Sequence, residues 1–110
     1  MKVREIVENL KLKPLTGEVG LDREVQGAYC GDLLSWVMSH GLRNNIWITV
    51  QVHPNIVAVA VLVEFPCIII PEEIEVDNIT LEKARNEGIA ILHSPDNAFE
   101  ICSRLKAAGV

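Results

Sequence analysis

Aromatic side chains are scarce in this chain: two Trp, two Phe and one Tyr, 5% of its residues. Since 49% of the residues are nevertheless apolar, the core must be built from Val, Ile, Leu and Ala, a composition suited to buried strands flanked by helices. Cysteine is also sparse. Cys30, Cys67 and Cys102 are odd in number and contain no Cys-x-x-Cys pair, which excludes a disulfide framework and a zinc ribbon and points to a reducing compartment. Positive charge is in deficit, with a formal balance of −5, and the basic residues are scattered. Nucleic acid and anionic membranes need a concentrated positive face, so neither is an expected partner. A small acidic ligand remains open, because one local Arg and a helix terminus outweigh a remote net charge. Residues 1–10 carry Lys2, Arg4, Glu5 and Glu8 where a signal peptide has its apolar segment. The longest wholly apolar run, Ile56 to Val63, is too short for a bilayer that needs roughly 20 helical residues. The expectation is a single cytoplasmic domain over residues 1–110, long enough to bury about 65% of its unfolded surface. Walker, Gly-x-Gly-x-x-Gly and Gly-x-Ser-x-Gly motifs are all missing, which removes support for nucleotide hydrolysis and triad chemistry.

What is present reads as a helix followed by four strand-helix units. Val3, Ile6, Val7 and Leu10 share one helical stripe that Pro14 must end. Lys11 to Asp22, with Pro14, Gly17 and Gly20, reads as a connecting loop with a short extended piece near Leu15. Glu24 to Tyr29 reads as a strand, Asp32 as the cap of a helix Leu33 to His40, and Gly41 as its stop. Ile46 to Val52 alternates, with Ile46, Ile48, Val50 and Val52 on one face and Trp47, Thr49 and Gln51 on a partly covered one. Ile56 to Glu64 fits a hairpin strand or a helix. Pro54 at a first helical position, and the buried strand Cys67 to Ile70 that needs a crossover, favour the helix. Pro71 to Asn78 is an acidic loop, Leu81, Ala84 and Arg85 lie on a helix closed by Gly88, and Ile89 to Leu92 is a short strand. Ala98, Ile101, Cys102 and Leu105 mark the last helix. Right-handed crossovers fold this order into an α/β domain, a mostly parallel sheet of about four strands with helices packed on it.

In such a sheet the strand carboxyl ends and helix N-termini share one edge, a setting for a small, anionic or nucleotide-like ligand. Gly27, Tyr29, Asp32, His53, Asn55 and Ser94 are the candidate binding residues there. Taken singly, Asp32, Asn55 and Ser94 read first as helix caps, and the histidines as loop residues; it is their joint placement on one edge that raises the binding reading beside it. The alternative is a small enzyme using Cys30, His53 or His93, with or without a metal. Zinc sites begin with a closely spaced ligand pair that this chain lacks, so no catalytic residue, metal ligand or cofactor is assigned. Cys67 and Cys102 sit on apolar stripes as small core residues, Trp36 reads as packing, and His40 as a partner of its helix C-terminus.

The stretch Gly20-Leu-Asp22-Arg23-Glu-Val-Gln26-Gly27-Ala28, followed by Asp32-Leu-Leu-Ser, Trp47-Ile-Thr49-Val-Gln51-Val-His53-Pro54-Asn55 and Ile68-Ile-Ile, resembles the DRTGG domain over nearly the whole chain. Asp22, Arg23 and Gly27 match the motif that gives the family its name; Gln26 and Ala28 stand where Thr and a second Gly are expected. The resemblance implies a non-catalytic module, found alone or attached to phosphate acetyltransferases and CBS-containing pyrophosphatases, with relatives in HPr kinase/phosphorylases and a fold similar to the N-terminal domain of some Mur ligases. In those pyrophosphatases the domain lies in a regulatory region that binds adenine nucleotides and helps form a dimer. Adenine nucleotides are therefore the first ligand class to expect, and a homodimer the expected assembly. Trp47, set between Thr49 and Gln51 on the less covered strand face, is the candidate interface anchor; the other reading has the first helix packing over it.

Overall fold

A computed structural model describes all 110 residues. The first helix, α1 (Val3–Leu10), buries Val3, Ile6 and Leu10 and keeps Glu5, Glu8 and Asn9 outside. It stops one residue on, where Lys11 turns left-handed at φ 54° and its N–H closes on Val7 O. The loop that follows contributes a two-residue strand, β1 (Lys13–Pro14). Then come β2 (Gly27–Cys30), α2 (Leu34–His40), β3 (Asn45–Ile48), α3 (Asn55–Val63), β4 (Cys67–Ile70), α4 (Asn78–Asn86), β5 (Ala90–His93) and α5 (Ala98–Ala107).

The sheet order is β1-β5-β4-β3-β2, with β2 to β5 parallel and β1 antiparallel on β5. The fold class is thus the expected α/β, enlarged by one short edge strand. Because the parallel strands are laid down in order, right-handed crossovers place every connecting helix on the same face. Side-chain packing agrees: Val37 of α2, Ile56 and Ala60 of α3 and Ala84 of α4 share one core with Trp47, Ile68 and Ile91. The opposite core joins Val3, Ile6 and Leu10 of α1 and Ile101 and Leu105 of α5 to Ile46, Ile48, Ile69 and Leu92. One layer therefore holds three helices and the other two.

Both faces of β3 are consequently covered, against the expectation that one was only partly so. Trp47 is 0% exposed, its ring 5.4 Å from Phe65 and its Nε1 donating to Gly31 O at 2.9 Å. A side chain buried within its own chain cannot anchor an interface, so Trp47 is a core residue, held under α2 and α3 rather than under the first helix. Trp36 reverses the other way: it is 56% exposed and stacks on His40 at 3.8 Å instead of entering the core. No helix is long and apolar enough to cross a membrane.

Candidate functional site

The strand carboxyl ends form one edge, built from the connections β2–α2, β3–α3, β4–α4 and β5–α5. Since β2 to β5 never reverse their order, this edge lacks the crevice that opens at a topological switch point. It is a shelf, and its loops decide what it presents.

On the β2–β3 half, Asp32 is the organising residue. It does not cap α2, whose N-cap is Leu33 without a side-chain bond. Its Oδ1 instead accepts from Thr49 Oγ1 at 2.8 Å and from Val50 N at 2.9 Å, and its backbone O accepts from Gln51 Nε2 at 3.0 Å. Gln51 N donates in turn to Thr49 Oγ1 at 3.2 Å. These bonds latch the end of β2 to the end of β3 and replace the ladder where the strand stops at Ile48, four residues earlier than the alternation suggested. Further along, Thr80 Oγ1 on α4 donates to Val52 O at 2.9 Å. His53 Nδ1 accepts from Asn55 N at 3.1 Å, so the histidine, and not Asn55, satisfies the first free amide of α3. The loop leaves the side chains of His53 and Asn55 exposed on a fixed backbone.

The β4–β5 half is different in charge. Glu72 and Glu73 both adopt left-handed backbone, φ 58° and 52°, and donate their N–H groups to Asp96 O and Ser94 O. With Glu75 and Asp77 they form an acidic ridge, and Asp77 caps α4 through Thr80 N. Arg104 pairs with Asp96 at 2.6 Å and also donates to Leu10 O, so that guanidinium is already engaged.

The six sequence candidates therefore do not converge. Asp32, His53 and Asn55 gather on one half of the shelf. Tyr29 borders it, half-buried on the α2 side, its ring in the space that a Cβ on Gly31 would crowd at 3.1 Å. Ser94 is only 1% exposed and its Oγ accepts from Asp96 N, a turn closure rather than a ligand contact. Gly27 lies at the opposite end, as the first residue of β2 beside Asn45. Its missing Cβ leaves room for the Asn45 carboxamide, whose Oδ1 would be 3.0 Å away. The other matched motif positions are likewise used inside the fold: Arg23 Nη1 donates to Gly88 O, and Asp22 accepts from Arg4 Nε at 3.2 Å. That Arg4 guanidinium holds the Asp22 carboxyl below its ordinary range.

Cys30, His53 and His93 are not assembled either. Cys30 lines a cavity of about 360 Å³ on the α5 side with Ile48, Cys102 and Leu105. His93 Nε2 bonds Ile74 O, whose residue packs in the opposite core. Two strands separate β2 from β5, a span of about 14 Å at sheet spacing. Although Cys30 as a residue is exposed, desolvation of its sulfur against this cavity, with Cys102 beside it, pushes the thiol up to about 11, so it is held protonated, and Cys67, fully buried, is pushed up to about 12. No three His, Cys, Asp or Glu side chains cluster closely enough to hold a metal ion.

Sequence reasoning missed two features. The roles of Thr49 and Gln51 in the latch were signalled only by polar residues alternating into a strand end. A groove of about 570 Å³ between α3 and α4, running from Pro54 and Asn55 past Ala58, Val61 and Leu62 to Lys83 and Glu87, was signalled by the absence of any polar residue from Ile56 to Val63.

No protein-family model matches the chain, and a search of curated proteins gives no match. Among solved structures the chain is similar to the CBS and DRTGG domains of the regulatory region of Clostridium perfringens pyrophosphatase, determined in complex with the activator diadenosine tetraphosphate. The TM-score is 0.66 at 18% identity, over 94% of this chain and 45% of that one. The chain thus spans less than half of that neighbour, and at this identity the likeness is one of fold: a DRTGG-like α/β domain whose structural neighbour is regulatory.

Proposed function

We propose that this chain is a non-catalytic regulatory module of the DRTGG type that binds a small anionic, adenine-nucleotide-like ligand at the carboxyl edge of its sheet and works as a homodimer. The observation that carries the ligand site is the Asp32 latch, which fixes the β3–α3 loop and presents Gln51, His53 and Asn55 together. An anion is favoured on this half, where the one carboxylate is engaged by two donors, over the acidic half beyond β4. The class of ligand follows from the fold's likeness to a regulatory region bound to diadenosine tetraphosphate. The small-enzyme alternative has less support, because its three residues stand apart and the Cys30 thiol is held protonated.

Thermal-shift titration with ATP, ADP, AMP and diadenosine tetraphosphate tests the ligand. A nucleotide at 100 times its dissociation constant adds about 2.7 kcal/mol of stability. The combined His53→Ala and Asn55→Ala variant is expected to abolish that shift; a shift that survives it places the nucleotide elsewhere.

A further inference from the structure

Helix α3 has no polar side chain from Ile56 to Val63, a composition that belongs to helices buried on every side. Its inner face is buried through Ile56, Val57, Val59 and Ala60, but Ala58 is exposed, as are Val61 (43%) and Leu62 (68%). Flanking them on the same layer are exposed Trp36, Leu42 and Ile79. Beside α3 runs the groove against α4, rimmed by Lys83 and Glu87, four residues apart.

We infer that this α3–α4 face is where a second copy of the chain docks, with a two-fold axis lying across α3. This rests on the self-association part of the proposed function and names its surface. Three observations select a second copy over an unlike partner. The groove rim is neutral, Lys83 offsetting Glu87, so two rims meet without net repulsion. An axis lying across the helices sets α3 and α4 antiparallel to their copies, and where it crosses α4 midway between Lys83 and Glu87 it brings Lys83 of each opposite Glu87 of the other; a single-signed rim would instead suit an oppositely charged partner. Ala58, the smallest exposed residue on α3, lets the two helices approach closely beside the Val61 and Leu62 side chains.

The test is light scattering of the full chain at micromolar concentration, with variants on the two layers. Wild type is expected at twice 12.2 kDa and Leu62→Glu at the monomer mass with unchanged circular dichroism. Phe99→Glu, at an exposed residue on α5, should remain dimeric. Lys83→Glu should weaken the pair about tenfold, and adding Glu87→Lys in the same chain should restore it. A wild-type monomer overturns the inference and the homodimer with it. A dimer indifferent to Leu62→Glu and to the charge swap overturns this face alone and moves the contact, most simply to the β2 edge. Because Asn55 lines one end of this groove as well as the candidate ligand site, the thermal-shift titration is run on the Leu62→Glu monomer as well as on wild type, so that loss of the dimer and loss of nucleotide binding are read separately.

Discussion

The two helical layers of this molecule bury the sheet equally well, with 14 core residues on each side, yet one helix of the three-helix layer, α3, has an outer surface opposite in character to those of α1 and α5. Outside α1 and α5, charges are abundant and paired: Arg4 with Glu18 and Asp22, Arg104 with Asp96. Outside α3, beyond Asn55 at its start, there are only aliphatic side chains. Equal cores mean that packing against the sheet does not explain the difference. A solvent-facing helix usually carries a polar face; where it does not, its outer surface is made for something other than water.

The contrast can be broken first from inside. Trp47→Ala removes the largest side chain of the three-helix core and should cost about 3–5 kcal/mol in urea unfolding. An interface role would instead leave the variant folded and only weaken self-association. Next comes the hinge between the shelf and that core. Asp32→Ala leaves the Thr49 hydroxyl and the Val50 N–H without their acceptor, a loss of about 1–3 kcal/mol. Amide exchange should quicken over residues 50–55 and stay unchanged at Cys67–Ile70; acceleration throughout would mean that the latch supports the whole fold rather than the loop.

A chemical probe separates the layers more finely. Cys30 sits on the two-helix side, and with its thiol pushed up to about 11 from 9.0, its alkylation at pH 8 should run about a hundredfold slower than that of a free thiol, climbing with pH until about 11. Fast alkylation at pH 8 would revive the enzyme reading. The smallest effect belongs to the exposed Arg4 pairs. Because Asp22 has its pKa lowered in the folded state, its contribution is present above the ordinary value of 3.8 and is lost as pH falls through the folded value. Arg4→Ala should therefore shift the melting temperature slightly at pH 7 and by less as the pH falls below 3.8; an equal shift throughout would assign Arg4 a packing role.

Much of this was legible in the sequence, and the rest was hidden for identifiable reasons. Strand β4 matched its expected span, Cys67 to Ile70, because an unbroken apolar run between two prolines leaves little freedom. Pro54 settled α3 as a helix against its strand-like valines. Alternation in β3 correctly divided Trp47 from Ile46 and Ile48, but it says which residues share a face and nothing of what covers it; that depended on where three crossovers stack. Asp32 followed a glycine and preceded a helix, the pattern of a cap, and its actual acceptor role lies 17 residues downstream at Thr49. Ser94 and Gly27 looked like edge residues from local pattern, whereas burial and strand direction placed one inside and the other at the far end.

The most direct test of the contrast between layers is the melting temperature of the wild-type chain as a function of its own concentration. If a second copy covers α3, dissociation accompanies unfolding and the midpoint rises steadily from submicromolar to hundred-micromolar protein, and Leu62→Glu flattens that slope while Phe99→Glu leaves it intact. A wild-type midpoint independent of concentration over that range would mean that the apolar face of α3 stands open to water, and would contradict the role given to it here.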